Sequence, residues 1–118
     1  MRLALVVAAI GACLFAVRTA VAYGLSHLLV AFALVTGNAT AANKAIELAP
    51  KDAEAHVASA GVSSLARAPE RSLVELENAV ALRPADYRLW SELGLVRDQI
   101  GDTTGAVKAF DEAGSLQV

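Results

Sequence analysis

A lone cysteine, Cys13, leaves no partner for an intramolecular disulfide. It sits in an apolar run, where a free cysteine simply packs. The preceding Ile10-Gly11-Ala12 loosely matches a lipid-attachment motif, but Leu14-Phe15-Ala16-Val17 carry the run past it. Acidic residues are absent before Glu47, and from Leu3 to Val35 the polar interruptions are Arg18, Thr19, Ser26 and His27. From Lys44 onward the balance reverses. All 12 Asp and Glu fall there, with all of the 10 Lys and Arg except Arg2 and Arg18. That mildly acidic tail lacks the basic face that nucleic acid requires, so no nucleic-acid partner is expected.

Catalytic and metal-binding patterns are equally scarce. His27 and His56 are far apart and have no Cys or carboxylate at ligand spacing. Ser63-Ser64 lacks the glycine elbow of a hydrolase nucleophile. Gly101-Asp102-Thr103-Thr104-Gly105 lacks the G-K-[ST] ending of a phosphate loop. It reads as an inter-helix turn, with Asp102 or Thr103 capping the next helix. Glu75 and Glu77 point to different faces of a helix and read as solvated surface. His56 reads as a packing residue and His27 as a residue on a boundary face. The expectation is a chain that is not an enzyme and holds no metal or cofactor.

What is present is a period of 34 residues. Ala45, Ala79 and Ala113 share one register, Leu48, Leu82 and Leu116 a second, and Ala42, Leu76 and Phe110 a third. Pro50 matches Pro84, and Asp52 matches Asp86. Helical spacing accompanies the period. Leu93, Val96 and Ile100 fall on one face of a helix over 91–100, which Gly101 ends because glycine tolerates a left-handed cap. Ala106, Val107, Phe110 and Ala113 are expected to face inward on the next helix. The preceding unit offers a helix from Ala53 to Ala66 and a break at Ala68-Pro69-Glu70. Pro69 stands in a first turn, where its missing N–H costs nothing. The second helix has an inner face of Leu73, Leu76, Ala79 and Val80 and ends before Pro84.

Trp90, Leu93 and Gly94, followed by Ala106, Phe110 and Ala113, resemble the tetratricopeptide repeat (TPR), whose pattern runs W-x2-L-G and then A-x3-F. The preceding unit keeps Ala79 and Pro84 but has His56, Ser59 and Ala60 at the W, L and G positions, and Arg97 stands where the pattern has tyrosine. The resemblance implies an all-α fold: a short right-handed solenoid of antiparallel helix pairs, preceded by an apolar N-terminal helix. Gly94 and Ala113 are small where helices approach, while Trp90, Leu93 and Phe110 fill the gaps. One helix pair cannot bury its apolar face alone, so three or more units are usually stacked. Run backward, the register sets Leu25 and Ser26 in line with Leu93 and Gly94. Residues 20–35, a turn at Thr36-Gly37 and a helix over 38–49 then supply a degenerate leading unit. The expected organisation is a membrane anchor or signal peptide over 1–22, a partial first TPR over 23–52, and two units over 53–86 and 87–118.

The N-terminal segment admits three readings. An uncleaved anchor runs from Leu3 to about Ala22, because Leu3–Val17 alone spans about 22 Å against a bilayer core of about 30 Å. A signal peptide would be cleaved after Ala20-Val21-Ala22. A membrane hairpin would pair Leu3–Val17 with Val21–Val35. The first two place the repeats outside the cytoplasm, in a periplasmic or other extracytoplasmic space, because Arg2 stays inside. The resemblance further implies a groove lined by the first helix of each pair, here Glu54, Val57, Gly61 and Leu65 with Arg88, Ser91, Leu95 and Asp98. Clustered Lys and Asn of the kind that grips a partner's C-terminal carboxylate are missing. The groove therefore suits an extended peptide or a helix of a partner protein. The implied function is a membrane-tethered or exported scaffold for protein–protein interaction. An alternative is the truncated tail or fragment of a larger TPR-containing membrane protein, such as a glycan polymerase or ligase. Self-association through an uncapped C-terminal repeat is a third expectation.

Overall fold

The structure, a computed structural model, describes residues 1–117; Val118, the last residue of the unit expected over 87–118, lies outside the described residues. Six helices follow one another, and no strand occurs among the described residues. They are α1 (Arg2–Thr36), α2 (Ala39–Leu48), α3 (Ala53–Leu65), α4 (Pro69–Leu82), α5 (Tyr87–Gln99) and α6 (Thr103–Leu116). Each is joined to the next by a short turn, and α1 packs on α2, α3 on α4 and α5 on α6. Successive pairs stack through α2 on α3 and α4 on α5. The result is a TPR-like helical repeat.

The turns show why the helices stop where they do. In the first turn of each pair, one residue has left-handed backbone: Gly37 (φ 66), Arg67 (φ 56) and Gly101 (φ 84). The next residue donates its N–H to the carbonyl five positions back: Asn38 to Ala33, Ala68 to Ser63 and Asp102 to Arg97, at 3.2, 2.9 and 2.8 Å. These bonds satisfy carbonyls that the helix end would otherwise strand. Arg67 and Gly101 are register partners, so the middle pair makes with arginine the turn that the last pair makes with glycine. Three of the starts share an aspartate cap, whereas α4 begins at Pro69 without a side-chain cap. Asp52 and Asp86 accept from the N–H groups of Glu54 and Arg88, and Asp102 accepts from Gly105. With Asp86 as its cap, α5 begins at Tyr87, one turn before the start at Ser91 that apolar spacing alone suggests.

The leading pair departs from the register by about one turn. Its left-handed residue, Gly37, lies four positions later than the register of Arg67 and Gly101 would place it. Accordingly α2 has 10 residues where α4 and α6 have 14. Helix α1 is continuous from Arg2 to Thr36, at about 52 Å for its 35 residues. It has no break near Ala22 and no turn between Val17 and Val21, which removes the hairpin. Its two halves have different surroundings. Residues 1–18 are exposed throughout, whereas Ser26, Val30 and Ala33 are buried on one face. Ser26 is wholly buried and donates to the carbonyl of Ala45 at 3.0 Å.

The core follows the 34-residue registers. Ala45, Ala79 and Ala113 are buried, as are Ser26, Ala60 and Gly94. Leu76, Ala79, Val80, Leu89, Leu93, Val96 and Ala109 form the main cluster, with Leu73 and Trp90 packed against it. Two expectations on α6 need correction. Val107 is 52% exposed and Phe110 is 41% exposed; the inward residues are Ala106, Ala109 and Ala113. Helices α5 and α6 approach so closely that alanine fills the seam. Phe110 lies across its edge, over Gly94, where a Cβ would stand 2.7 Å from the ring.

Candidate protein-binding groove

The first helices of the three pairs are unevenly spaced. Helix α1 packs directly on α3, but α3 and α5 make no backbone approach within 8 Å. The side chains of α3 explain the first contact. Ala55, Ala58 and Val62 join apolar clusters with Val30 and Ala33 of α1 and Ala41, Ala42 and Ala45 of α2, and Gly61 meets only Leu34 Cδ2, at 3.7 Å from where its Cβ would be. Toward α5 the larger Leu89, Glu92 and Leu95 hold the helices apart. Two cavities open in that gap. One, of about 230 Å³, is lined by Ala60, Gly61, Ser64, Ser72, Leu76, Glu92, Leu95, Val96 and Gln99. The other, of about 120 Å³, is lined by Glu54, Val57, Asp86, Arg88, Leu89 and Glu92.

Most of the groove residues expected from the sequence border this gap. Glu54, Val57 and Arg88 line the smaller cavity, and Gly61 and Leu95 the larger. Ser91 is half-buried and returns its hydroxyl to the carbonyl of Tyr87 at 3.1 Å. Leu65 is 75% exposed and Asp98 is exposed, and both lie outside the two cavities. Ser64 and Gln99 take those places. Glu92, which borders both cavities, was missed because nothing in an isolated helix marks the residue that will face a gap between two helices.

The groove's charges are largely spoken for, except at Glu92. Arg83 Nη1 reaches Glu54 Oε1 at 2.7 Å. Arg88 folds back on Asp86 through Nε to Oδ1 at 3.2 Å and Nη2 to Oδ2 at 3.1 Å. The hydrogen bond from Arg88 holds the Asp86 carboxyl below its ordinary value. Glu92 moves the other way. Partial desolvation over the cavities pushes its carboxyl up; Arg88 opposes the rise, while Asp86 and Glu54 add to it.

Cross-pair polar contacts brace the groove from behind. Trp90 donates its indole N–H to the carbonyl of Pro84 at 2.8 Å. One period earlier, His56 Nε2 meets the carbonyl of Pro50 at 2.9 Å. His56 therefore does the work of the tryptophan, as a packing residue should, and Pro84 acts as an acceptor as well as a helix stop. The other ring nitrogen, Nδ1, lies 2.6 Å from Glu75 Oε2. A carbonyl can only accept, so Nε2 is the donor to Pro50 and Nδ1 is the ring atom that meets Glu75. This overturns the reading of Glu75 as solvated surface: its side chain is only 16% exposed. Glu77 is bonded too, by Arg97 Nη2 at 3.2 Å, while Arg97 Nη1 donates to the carbonyl of Gly105. The arginine at the tyrosine position thus ties α4, α5 and α6 together. Asp52 differs from its register partner Asp86. Its Oδ2 is buried without a hydrogen bond, and exposed His27 is 3.7 Å away. Among the described residues no three His, Cys, Asp or Glu side chains are grouped to hold a metal.

Solved structures of MamA are among those similar to this chain. A crystal structure of MamA superposes with a TM-score of 0.64 at 23% identity, covering 67% of this chain and 46% of that one. An RS-1 ArsTM double mutant of MamA gives 0.71 at 20% identity, covering 78% and 54%. A further crystal structure of MamA gives 0.69 at 20% identity, covering 84% and 54%. The chain spans about half the length of these structures. No protein-family model matches it, and neither does any curated protein. At such identities the likeness establishes the helical-repeat fold and nothing finer.

Proposed function

We propose that the chain is a membrane-tethered TPR-like scaffold that presents the gap between α3 and α5 to a segment of a partner protein. In this reading residues 1–22 are the tether, 23–52 a leading degenerate unit, and 53–86 and 87–118 two further units. The observation that carries the reading is the division of α1. One half is locked into the stack, while the other half of the same helix is apolar and wholly exposed. Leu3, Leu5, Val6, Val7, Ile10, Leu14, Phe15, Val17 and Val21 are each more than half exposed. At about −0.3 to −0.6 kcal/mol each on an insertion scale, they favour a bilayer by about 4 kcal/mol. Arg18 opposes this by about 2.5 to 3.5 kcal/mol at the centre of a bilayer and by far less at its edge. The segment is therefore stable in lipid only with Arg18 near the boundary. With Arg2 retained on the cytoplasmic side, the repeats stand on the extracytoplasmic side.

The groove's chemistry narrows the partner. Leu95, Val57, Leu76 and Val96 offer apolar lining, and Glu92 lines both cavities with no ion pair among the described residues. An extended segment or helix that places an apolar side chain in the larger cavity and a Lys or Arg over Glu92 suits this surface. Photo-crosslinkers placed at Val57 and Leu95 in living cells test the reading, with Val107 on the outer face of α6 as the comparison. Discrete protein adducts from the first two positions and none from the third are expected. Adducts from the outer face alone, equal adducts from both faces, or none at all would overturn it.

A further inference from the structure

A third cavity, of about 240 Å³, lies away from the groove, where α1 leaves the stack. It is formed between the middle of α1 and the turn that joins α2 to α3. Phe15, Thr19 and Tyr23 line it from α1 and Leu48 from the end of α2, with Arg18 and Lys51 as its charged residues. No acid lines it. Of the nearest acids in sequence, Glu47 is bonded to Lys44 at 2.7 Å, and Asp52 caps α3 through Oδ1 while its Oδ2 lies 3.7 Å from His27. Arg18 and Lys51 make no ion pair among the described residues, although the chain as a whole carries more acids than bases.

The position is as informative as the charge. A span of about 20 residues from Leu3 ends close to Ala22. The cavity therefore falls at the boundary between lipid and water on the repeat side. Tyr23 stands where an aromatic side chain prefers the headgroup layer. The lining is largely apolar and includes two cations that make no ion pair among the described residues. We propose that this cavity seats the headgroup phosphate of an anionic phospholipid, with Arg18 and Lys51 as its cations and the acyl chain against Phe15 and Leu48. The inference rests on the tether reading above. It assigns Arg18 a role that bilayer insertion alone does not require, because an uncharged residue would insert at lower cost.

The test uses the full chain reconstituted in nanodiscs of phosphatidylcholine mixed with phosphatidylglycerol. Lipids that remain bound after mild detergent release are counted by mass spectrometry. Phosphatidylglycerol is expected to be enriched over phosphatidylcholine. Arg18→Gln and Lys51→Gln should each reduce the enrichment about fivefold, the equivalent of about 1 kcal/mol per base near an anionic surface. Lys108→Gln on α6, the same change of charge far from the cavity, should leave it unchanged, and circular dichroism verifies that the variants keep their helices. Equal retention of the two lipids, or equal losses from Lys108→Gln and Lys51→Gln, overturns the proposal. So does displacement of the lipid by glycerol 3-phosphate alone, which would make a free phosphate ester the occupant. A chain that does not enter phosphatidylcholine discs at all overturns the tether and this site together, whereas entry without enrichment overturns this site alone.

Discussion

Gly94→Ala tests the packing argument where it is tightest. A Cβ at Gly94 would stand 2.7, 2.9 and 2.9 Å from three ring carbons of Phe110, against a comfortable separation of about 3.5 to 4.0 Å. The ring must retreat by about 0.8 Å, and overpacking of this kind costs about 1 to 3 kcal/mol. Because Phe110 is 41% exposed, the ring can swing outward, so the lower half of that range applies. Against it stands the gain of about 1 kcal/mol from replacing glycine inside a helix. The net expectation is a loss of up to about 1 kcal/mol in the native background. With Phe110→Ala the obstacle is gone, and the same change should stabilise by about 1 kcal/mol. The resulting coupling, on the order of 1 to 2 kcal/mol, is what two residues in contact show. Gly61→Ala is an internal control. Its Cβ would meet only Leu34 Cδ2 at an ordinary 3.7 Å, so it should stabilise by about 1 kcal/mol with Phe110 intact. Urea denaturation of the full chain in mild detergent, followed by the fluorescence of the single tryptophan, Trp90, reads all of these. If Gly94→Ala stabilises equally with and without Phe110, the small-against-large account of this seam is wrong.

Arg67→Gly should stabilise by about 1 kcal/mol, because it places glycine in the left-handed position that Gly101 occupies one period later; a melting temperature that stays put or falls would contradict this. His56→Phe and Glu75→Leu should each destabilise by about 1 to 3 kcal/mol and the double variant by much less than their sum, since each single change strands a poorly exposed polar group. Additive losses in denaturant titrations would show that the two side chains are not coupled. Glu92→Gln should stabilise by a few tenths of a kcal/mol at pH 7, a small value because the side chain keeps much of its surface in water. Its folded carboxyl is raised above the ordinary 4.5, so the native chain is relatively most stable below that value and loses the increment as pH rises through the folded pKa. The advantage of the glutamine variant must therefore vanish in melts below about pH 4, and an advantage that persists there has another origin.

Particular residues show how far the sequence could be read. Pro69, Gly37 and Gly101 act through their own backbone and Asp102 through a side-chain cap one turn away, so those helix ends were legible one residue at a time, whereas the start of α5 behind Asp86 was not. The registers that pair Ala45 with Ala79 and Ala113 were legible because one stacking geometry repeats. The unread features depend on how one helix is set against another. Nothing local places Glu75 beside His56, 19 residues away, or Arg97 between Glu77 and Gly105. The apolar spacing of Val107 and Phe110 suggested an inward face, but the seam between α5 and α6 is too narrow for either, and Ala109 fills it. Likewise, the groove expected along the whole array opens only between α3 and α5, because small residues on α3 let α1 close the other side. Continuity of α1 was hidden by its composition: an exposed apolar segment and a buried helix look alike until one sees which faces are covered.

Cys13 offers the most direct test of where α1 resides. It lies ten residues beyond Leu3, about 15 Å along the helix axis and therefore near the middle of a bilayer core of about 30 Å. It is exposed in the protein itself, so only lipid could shield it. The full chain reconstituted in sealed vesicles is treated with a membrane-impermeant maleimide, alongside Cys13→Ala carrying a new thiol from Ser115→Cys on exposed α6. The account predicts that Cys13 stays unmodified until detergent is added, while the outward-facing copies of the Ser115→Cys chain react at once. Modification of Cys13 in intact vesicles at the rate of the surface thiol would contradict it.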